Sequence, residues 1–359
     1  AIPYIVIAAA ATLPAVLYFV GVFLMVHFEA KKMGLKGLPK EMLPRLGWIT
    51  LSKCYMFLPI VLLVVLMANG LTPARSAIFA ILAVFVLSFI RKDTRFNPGT
   101  FVEAVAGGSK NTLSVGIACA VAGIIVGIVT MTGIGPMLVA QLTQIVNHPF
   151  LVATGTSLFV ALLITAVTCI IIGLGMPTTA KYVIMATIAA PMIIRAGAEI
   201  GIVVPLLAAH MFVFYFGVVA DITPPVALAA YAGAAIAKSN PMKTALIATK
   251  LAIATFILPF MIVLSPALLL GYHESSFLEV IKIIISSLIG MASLAVGVQG
   301  YMLKKVPVLF RLMAIGAGIL MLYPGVGTDL IGAGIVAVVV ASQALSVRRE
   351  KAAGARLGE

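Results

Sequence analysis

Long apolar runs separated by short basic loops set the pattern of this chain. Runs at 4–27, 49–69, 74–90, 112–132, 203–237, 245–270, 277–302, 308–323 and 328–347 hold few charges, and a further pair at 150–173 and 178–195 flanks Gly173-Leu174-Gly175-Met176-Pro177. Most approach the roughly 20 residues with which a helix, rising about 1.5 Å per residue, crosses a hydrocarbon core of about 30 Å. The pattern predicts an all-α membrane protein, a polytopic helical bundle.

The basic residues predict its orientation, because loops rich in lysine and arginine stay in the cytoplasm. Five clusters are Lys31, Lys32, Lys36, Lys40 and Arg45; Arg91, Lys92, Arg95 and Lys110; Lys238, Lys243 and Lys250; Lys304, Lys305 and Arg311; and Arg348, Arg349, Lys351 and Arg356. The loops around Asn69 to Arg75, Asn147 to Phe150, Gly271 to Ser276 and Pro324 to Asp329 are poor in basic residues and are expected outside. All five clusters fall on one side only if 150–195 enters and leaves by the outer face, as a re-entrant hairpin. Two full spans joined by a tight loop are the alternative. A similar break, Gly133-Ile134-Gly135-Pro136, should turn the end of the 112–132 span into a surface-lying or partly inserted helix.

Composition narrows the class further. With 62% hydrophobic and 10% charged residues, the chain has too little polar surface to coat a soluble body of its size. The net charge of +13 is spread over the loops instead of forming one basic face, which argues against nucleic acid as a partner. Cys54, Cys119 and Cys169 lie in apolar segments without metal-ligand spacing, so they read as buried small residues.

Two stretches hold the candidate chemistry. Asp221-Ile222-Thr223-Pro224-Pro225 interrupts an apolar helix, and adjacent prolines free backbone carbonyls that lipid cannot satisfy. The break is therefore expected to line a cavity. A carboxylate near the bilayer centre costs several kcal/mol unless partnered, and a bound alkali cation would partner Asp221. The freed carbonyls, the hydroxyls of Thr223, Thr178 and Thr179, and carbonyls near Gly173 and Gly175 are hard oxygen donors that suit such an ion.

Thr178 and Thr179, starting the second hairpin arm, offer hydroxyls and helix-terminal amides to a carboxylate. Lys181, one turn on, either pairs with a substrate carboxylate or with Asp221, or snorkels, or packs against a carbonyl; the sequence leaves these open. His210 reads as a satisfied packing residue, and the aromatic run from Phe212 to Phe216 as lipid and helix packing. Gly123 to Gly127, and Gly290 with Gly297, fit close helix approach.

The runs Gly173-Leu-Gly-Met-Pro-Thr-Thr-Ala-Lys-Tyr182, Ala209-His-Met-Phe-Val-Phe-Tyr-Phe216 and Ile222-Thr-Pro-Pro-Val-Ala-Leu-Ala229 resemble the large permease subunit of tripartite ATP-independent periplasmic (TRAP) transporters, in its fused-permease form. The likeness extends from Ala1 to about Gly271. It implies an elevator-type, sodium-coupled importer of small organic anions, mostly carboxylates, in a bacterial or archaeal cytoplasmic membrane. It also implies an extracytoplasmic solute-binding protein, no ATP, no organic cofactor and no enzymatic activity.

By this resemblance Gly173 to Thr179 form the hairpin tip of the second inverted repeat, and Asp221 to Pro225 the break in its crossing helix. Met176, Pro177, Thr178, Thr179, Lys181, Pro224 and Pro225 are then the expected substrate residues. Gly173, Gly175, Asp221 and Thr223 are the expected sodium ligands.

The domain organisation follows. Residues 1–111 should be scaffold-type helices and cytoplasmic loops. Residues 112–237 should be the transport-type repeat, with the hairpin at 150–195 and the broken helix at 203–237. C-terminal helices at 238–347 and a basic cytoplasmic tail at 348–359 complete the chain. No first repeat or small-subunit helices are recognised, and Ala1 runs straight into a helix, so a portion of a longer permease is expected. Lys181 stands where the family pattern has a small apolar residue, and spans 308–347 are extra to the basic permease. An intramembrane hydrolase, a non-transporting assembly subunit, and an elevator transporter for ions or dicarboxylates from another family are the competing classes.

Overall fold

The computed structural model describes residues 2–37, 39–43, 47, 53–90, 94–270, 276–322 and 325–356. The start of the 49–69 span, Arg45, Arg91, Lys92, most of the 271–276 loop, Pro324 and the last residues of the tail lie outside the described residues.

The named elements are helical: α1 Tyr4–Lys32, α2 Leu58–Ala68, α3 Pro73–Ser88, α4 Pro98–Thr132, α5 Ile134–Val146, α6 Pro149–Thr154, α7 Ser157–Gly173, α8 Thr178–Glu199, α9 Leu206–Val219, α10 Leu228–Ala237, α11 Pro241–Leu251, α12 Ile253–Leu264, α13 Phe277–Gln299, α14 Val308–Leu322 and α15 Val326–Arg356. Short 3₁₀ turns at Cys54–Phe57, Ala220–Ile222 and Pro266–Leu268 extend α2, α9 and α12. Among the described residues five helices are long and apolar enough to cross a membrane, or six if a bent pair counts as one span. The expected all-α, polytopic membrane architecture is thus the one observed.

Several boundaries differ from the sequence pattern. The first hairpin arm starts at Ser157, because Gly155 adopts φ +67° and ends a separate short helix, α6. Hydropathy is blind to that left-handed turn. Segment 245–270 resolves into α11 and α12, which meet at Ala252. Helix α15 continues past the 328–347 run as far as Arg356. The break at 133–136 appears as a 69° bend between Cys119–Thr132 and Pro136–Val146.

The chain forms two compact units, Ala1–Ala10 with Lys36–Gly116 and Ala11–Leu35 with Ile117–Glu359. In the first, α2 packs on α3, whose N-terminus is capped by the Thr72 hydroxyl accepting from the Arg75 amide. Phe85 stacks with Phe96 and meets Phe89 and Phe101 edge-on. Ile60, Val64, Ile81 and Val86 are exposed, as lipid-facing side chains would be.

The second unit is organised around α9, which packs against α7, α8 and α12. Its core includes Leu162, Cys169, Ile193, Phe212, Leu258 and Ile262, all without solvent exposure. Phe260 lies edge-on to Phe212 and Phe216, so the aromatic run serves mainly helix packing, with Phe214 left exposed. Gly297 lets α14 approach α13 closely: a Cβ there would stand 2.8 Å from the Arg311 carbonyl. Gly123 and Gly127 have open space where a Cβ would go, so close approach fails there.

Polar contacts join several basic segments within this unit. Lys250 pairs with Glu29 at 3.3 Å, beside Lys32. Gln299 donates to the Met25 carbonyl at 3.1 Å, and Lys304 Nζ to the Ser346 carbonyl at 2.8 Å. The helix ends bearing four of the predicted cytoplasmic clusters therefore meet, as a common side requires.

Candidate functional site

Helix α7 ends at Gly173, where Leu174 turns extended and Gly175 takes φ +73°. Only glycine adopts that conformation freely, and Pro177 then leads straight into α8. Of the tip predicted at 173–177, Leu174 to Pro177 are non-helical and Gly173 closes α7. Across from it, α9 tightens into the 3₁₀ turn Ala220–Ile222, Thr223 becomes extended, and Pro224 and Pro225 are joined by a cis peptide bond. The helix resumes at Leu228.

The two interruptions touch. A Cβ on Gly173 would lie 3.0 Å from the Cβ of Ala220 and from Met185 Cε, and one on Gly175 would sit 3.9 Å from Val226. Between tip and break opens a cleft of about 340 Å³ lined by Gly175, Met176, Pro177, Thr178, Asp221, Leu228 and Ala229. Five predicted site residues, from Gly175 to Thr178 and Asp221, thus share one cavity. Gly173 is buried behind it as a packing contact. Thr179, Thr223, Pro224 and Pro225 flank the cleft without lining it.

Lys181 resolves the question the sequence left open. Its side chain is fully buried, and Nζ donates to Asp221 Oδ1 at 2.6 Å and to the Gly217 carbonyl at 3.0 Å. Gly217 is the carbonyl one turn before Asp221, so the ammonium satisfies an acceptor that the failing helix leaves behind. Asp221 keeps 29% side-chain exposure and opens on the cleft.

The other carbonyls of the break find donors too. Thr223 donates through its hydroxyl to Val219 O at 2.8 Å and through its amide to Ala220 O at 3.3 Å. Thr249 of α11 donates to Ile222 O at 3.0 Å, and Tyr231 of α10 to Pro225 O at 2.6 Å. Leu228, Ala229, Gly217, Thr249 and Tyr231 escaped the sequence reading as site residues. The first two belong to the motif already noted, whereas nothing in sequence tied Thr249 to a carbonyl 27 positions earlier. His210 bonds the Tyr182 hydroxyl at 3.0 Å, the satisfied role expected of it.

Chemically the arrangement is an unwound gap between two helix ends, largely apolar in its lining, with Thr178 and Asp221 as its polar side chains. One ammonium–carboxylate pair lies at its edge, and the N-terminus of α8, with first-turn amides that have no partner within the helix, begins at Thr178 on its wall.

No match is found among curated proteins or among solved structures. The chain does match the family described as "Tripartite ATP-independent periplasmic transporter, DctM component" over residues 1–274 of its 359. That stretch holds both interruptions and the cleft, and ends before α13. The chain therefore belongs to the DctM family of TRAP transporters, the multi-pass membrane components of a transport system.

Proposed function

We propose that this protein is the permease of a sodium-coupled secondary transporter that imports a small organic anion, a carboxylate, delivered by an extracytoplasmic solute-binding protein. The observation carrying this reading is the contact between the hairpin tip and the helix break, which gathers Thr178 and Asp221 around one cleft. Met176, Pro177, Thr178 and Thr179 would hold the carboxylate through hydroxyl and helix-terminal amides, with Pro224 and Pro225 shaping the facing wall.

Sodium would be held by carbonyls at Gly173 and Gly175, by Asp221 and by Thr223. Thr223 spends its hydroxyl proton on Val219 O, which leaves its oxygen lone pairs for a cation. Lys181 lies behind Asp221 and acts on the substrate through that carboxylate's charge.

The test is uptake into proteoliposomes containing the protein and its binding protein, with a panel of labelled carboxylates and an inward sodium gradient. Sodium-driven uptake that falls in Asp221→Ala is expected. Uptake with unchanged sodium dependence in that variant removes Asp221 from the ion site. No gradient-driven uptake of any carboxylate defeats the reading.

A further inference from the structure

Lys181 is among the largest fully buried side chains of the described residues, and of these it alone is a cation. Burying an ammonium is expensive unless it is paired and hydrogen-bonded, and Asp221 with the Gly217 carbonyl supplies both. Its stem is held as well. A Cβ at Gly217 would lie 3.5 Å from Lys181 Cδ, so the glycine forms the slot along which the methylenes run. The ammonium is thus delivered to one point, on the protein side of a carboxylate whose other side opens to the cleft.

We infer that Lys181 is a tethered counter-ion, which balances the charge of Asp221 while no coupling cation is bound and competes with that cation for the same carboxylate. This rests on the transport reading above and adds how its ion site is regulated. A carrier that alternates between two faces must also return empty. A bare carboxylate making that passage through a low-dielectric interior costs several kcal/mol. An attached ammonium removes the cost without borrowing an ion from solution. The same ammonium opposes the arrival of sodium, because two cations on one carboxylate repel each other in a poorly screened site. The lysine therefore keeps sodium affinity low enough for release.

The experiment is equilibrium binding of radioactive sodium to the purified chain in detergent, with Lys181→Met, Lys181→Gln and Lys181→Arg beside the wild type. Glutamine can still bond the Gly217 carbonyl, so it serves if methionine impairs folding. Met and Gln variants are expected to bind sodium at least tenfold tighter, and Arg to bind as the wild type does. Adding Asp221→Asn should abolish the gain.

Unchanged or weaker binding in both neutral variants overturns the inference, as does a gain that survives Asp221→Asn or an absence of sodium binding in every form. Sodium-driven carboxylate uptake with unaltered affinities would leave the permease reading intact and remove only the role of Lys181. Tightened sodium binding without any uptake would do the reverse.

Discussion

Lys181 and Asp221 meet at 2.6 Å across forty positions of sequence, joining the second arm of a helical hairpin to the unwound end of a neighbouring helix. The contact welds together two interruptions that would each be costly alone. It also leaves the partners unequal, since the lysine has no exposure and the aspartate retains 29%.

That inequality predicts an asymmetric response to mutation. Asp221→Ala strands a buried ammonium and should destabilise the protein by about 3–5 kcal/mol. Lys181→Met leaves a carboxylate that can turn to water in the cleft, and should cost clearly less. Thermal unfolding in detergent should therefore rank wild type, then Lys181→Met, then Asp221→Ala; the opposite order of the two variants would contradict the geometry.

Gly173 is the point where tip and break touch. In Gly173→Val the added methyls meet Ala220 and Met185, already 3.0 Å from an ideal Cβ. Overpacking of this kind costs about 1–3 kcal/mol and should part the tip from the break. Transport should be lost, and Met185→Ala, which removes one of the two obstructing groups, should restore part of it. A Gly173→Val protein with full activity would show that the contact is dispensable.

The glycines of the helical segments should divide by what lies opposite them. Gly297→Leu drives a side chain into the Arg311 carbonyl and Ile315 of α14 and should lower stability by about 1–3 kcal/mol. Gly123→Ala meets open space and replaces a poor helix former, so stability should hold or rise by up to about 1 kcal/mol. The paired melting temperatures check both.

Orientation is open to labelling. With Cys54, Cys119 and Cys169 replaced by alanine, Thr156→Cys and Ile202→Cys flank the hairpin, and Ser239→Cys lies in a basic loop. An impermeant thiol reagent applied outside intact cells should modify the first two and spare the third. Modification of Thr156→Cys and Ile202→Cys from opposite faces would make the pair two full spans.

Much of this protein could be read from its sequence because lipid and backbone chemistry act locally. A run of apolar residues becomes a helix wherever water is scarce, so the helical class and most of the helices followed from hydropathy, whereas ends such as the start of α4 at Pro98, ahead of the 112–132 run, did not. Gly175, Pro177 and the Pro224-Pro225 pair break helices through their own covalent geometry, so both interruptions were visible too. The left-handed turn at Gly155 was missed, because a glycine inside an apolar run carries no hydropathic mark.

What the sequence could not determine is which charge neutralises which, and which donor reaches which carbonyl. Lys181 had several partners open to it, and Thr249 and Tyr231 had no visible connection with the break. Those choices belong to the tertiary structure, because they depend on how α8, α9, α10 and α11 lie against one another. A freed carbonyl announces its need through the residues beside it, whereas the group that answers comes from wherever packing brings a donor within about 3 Å.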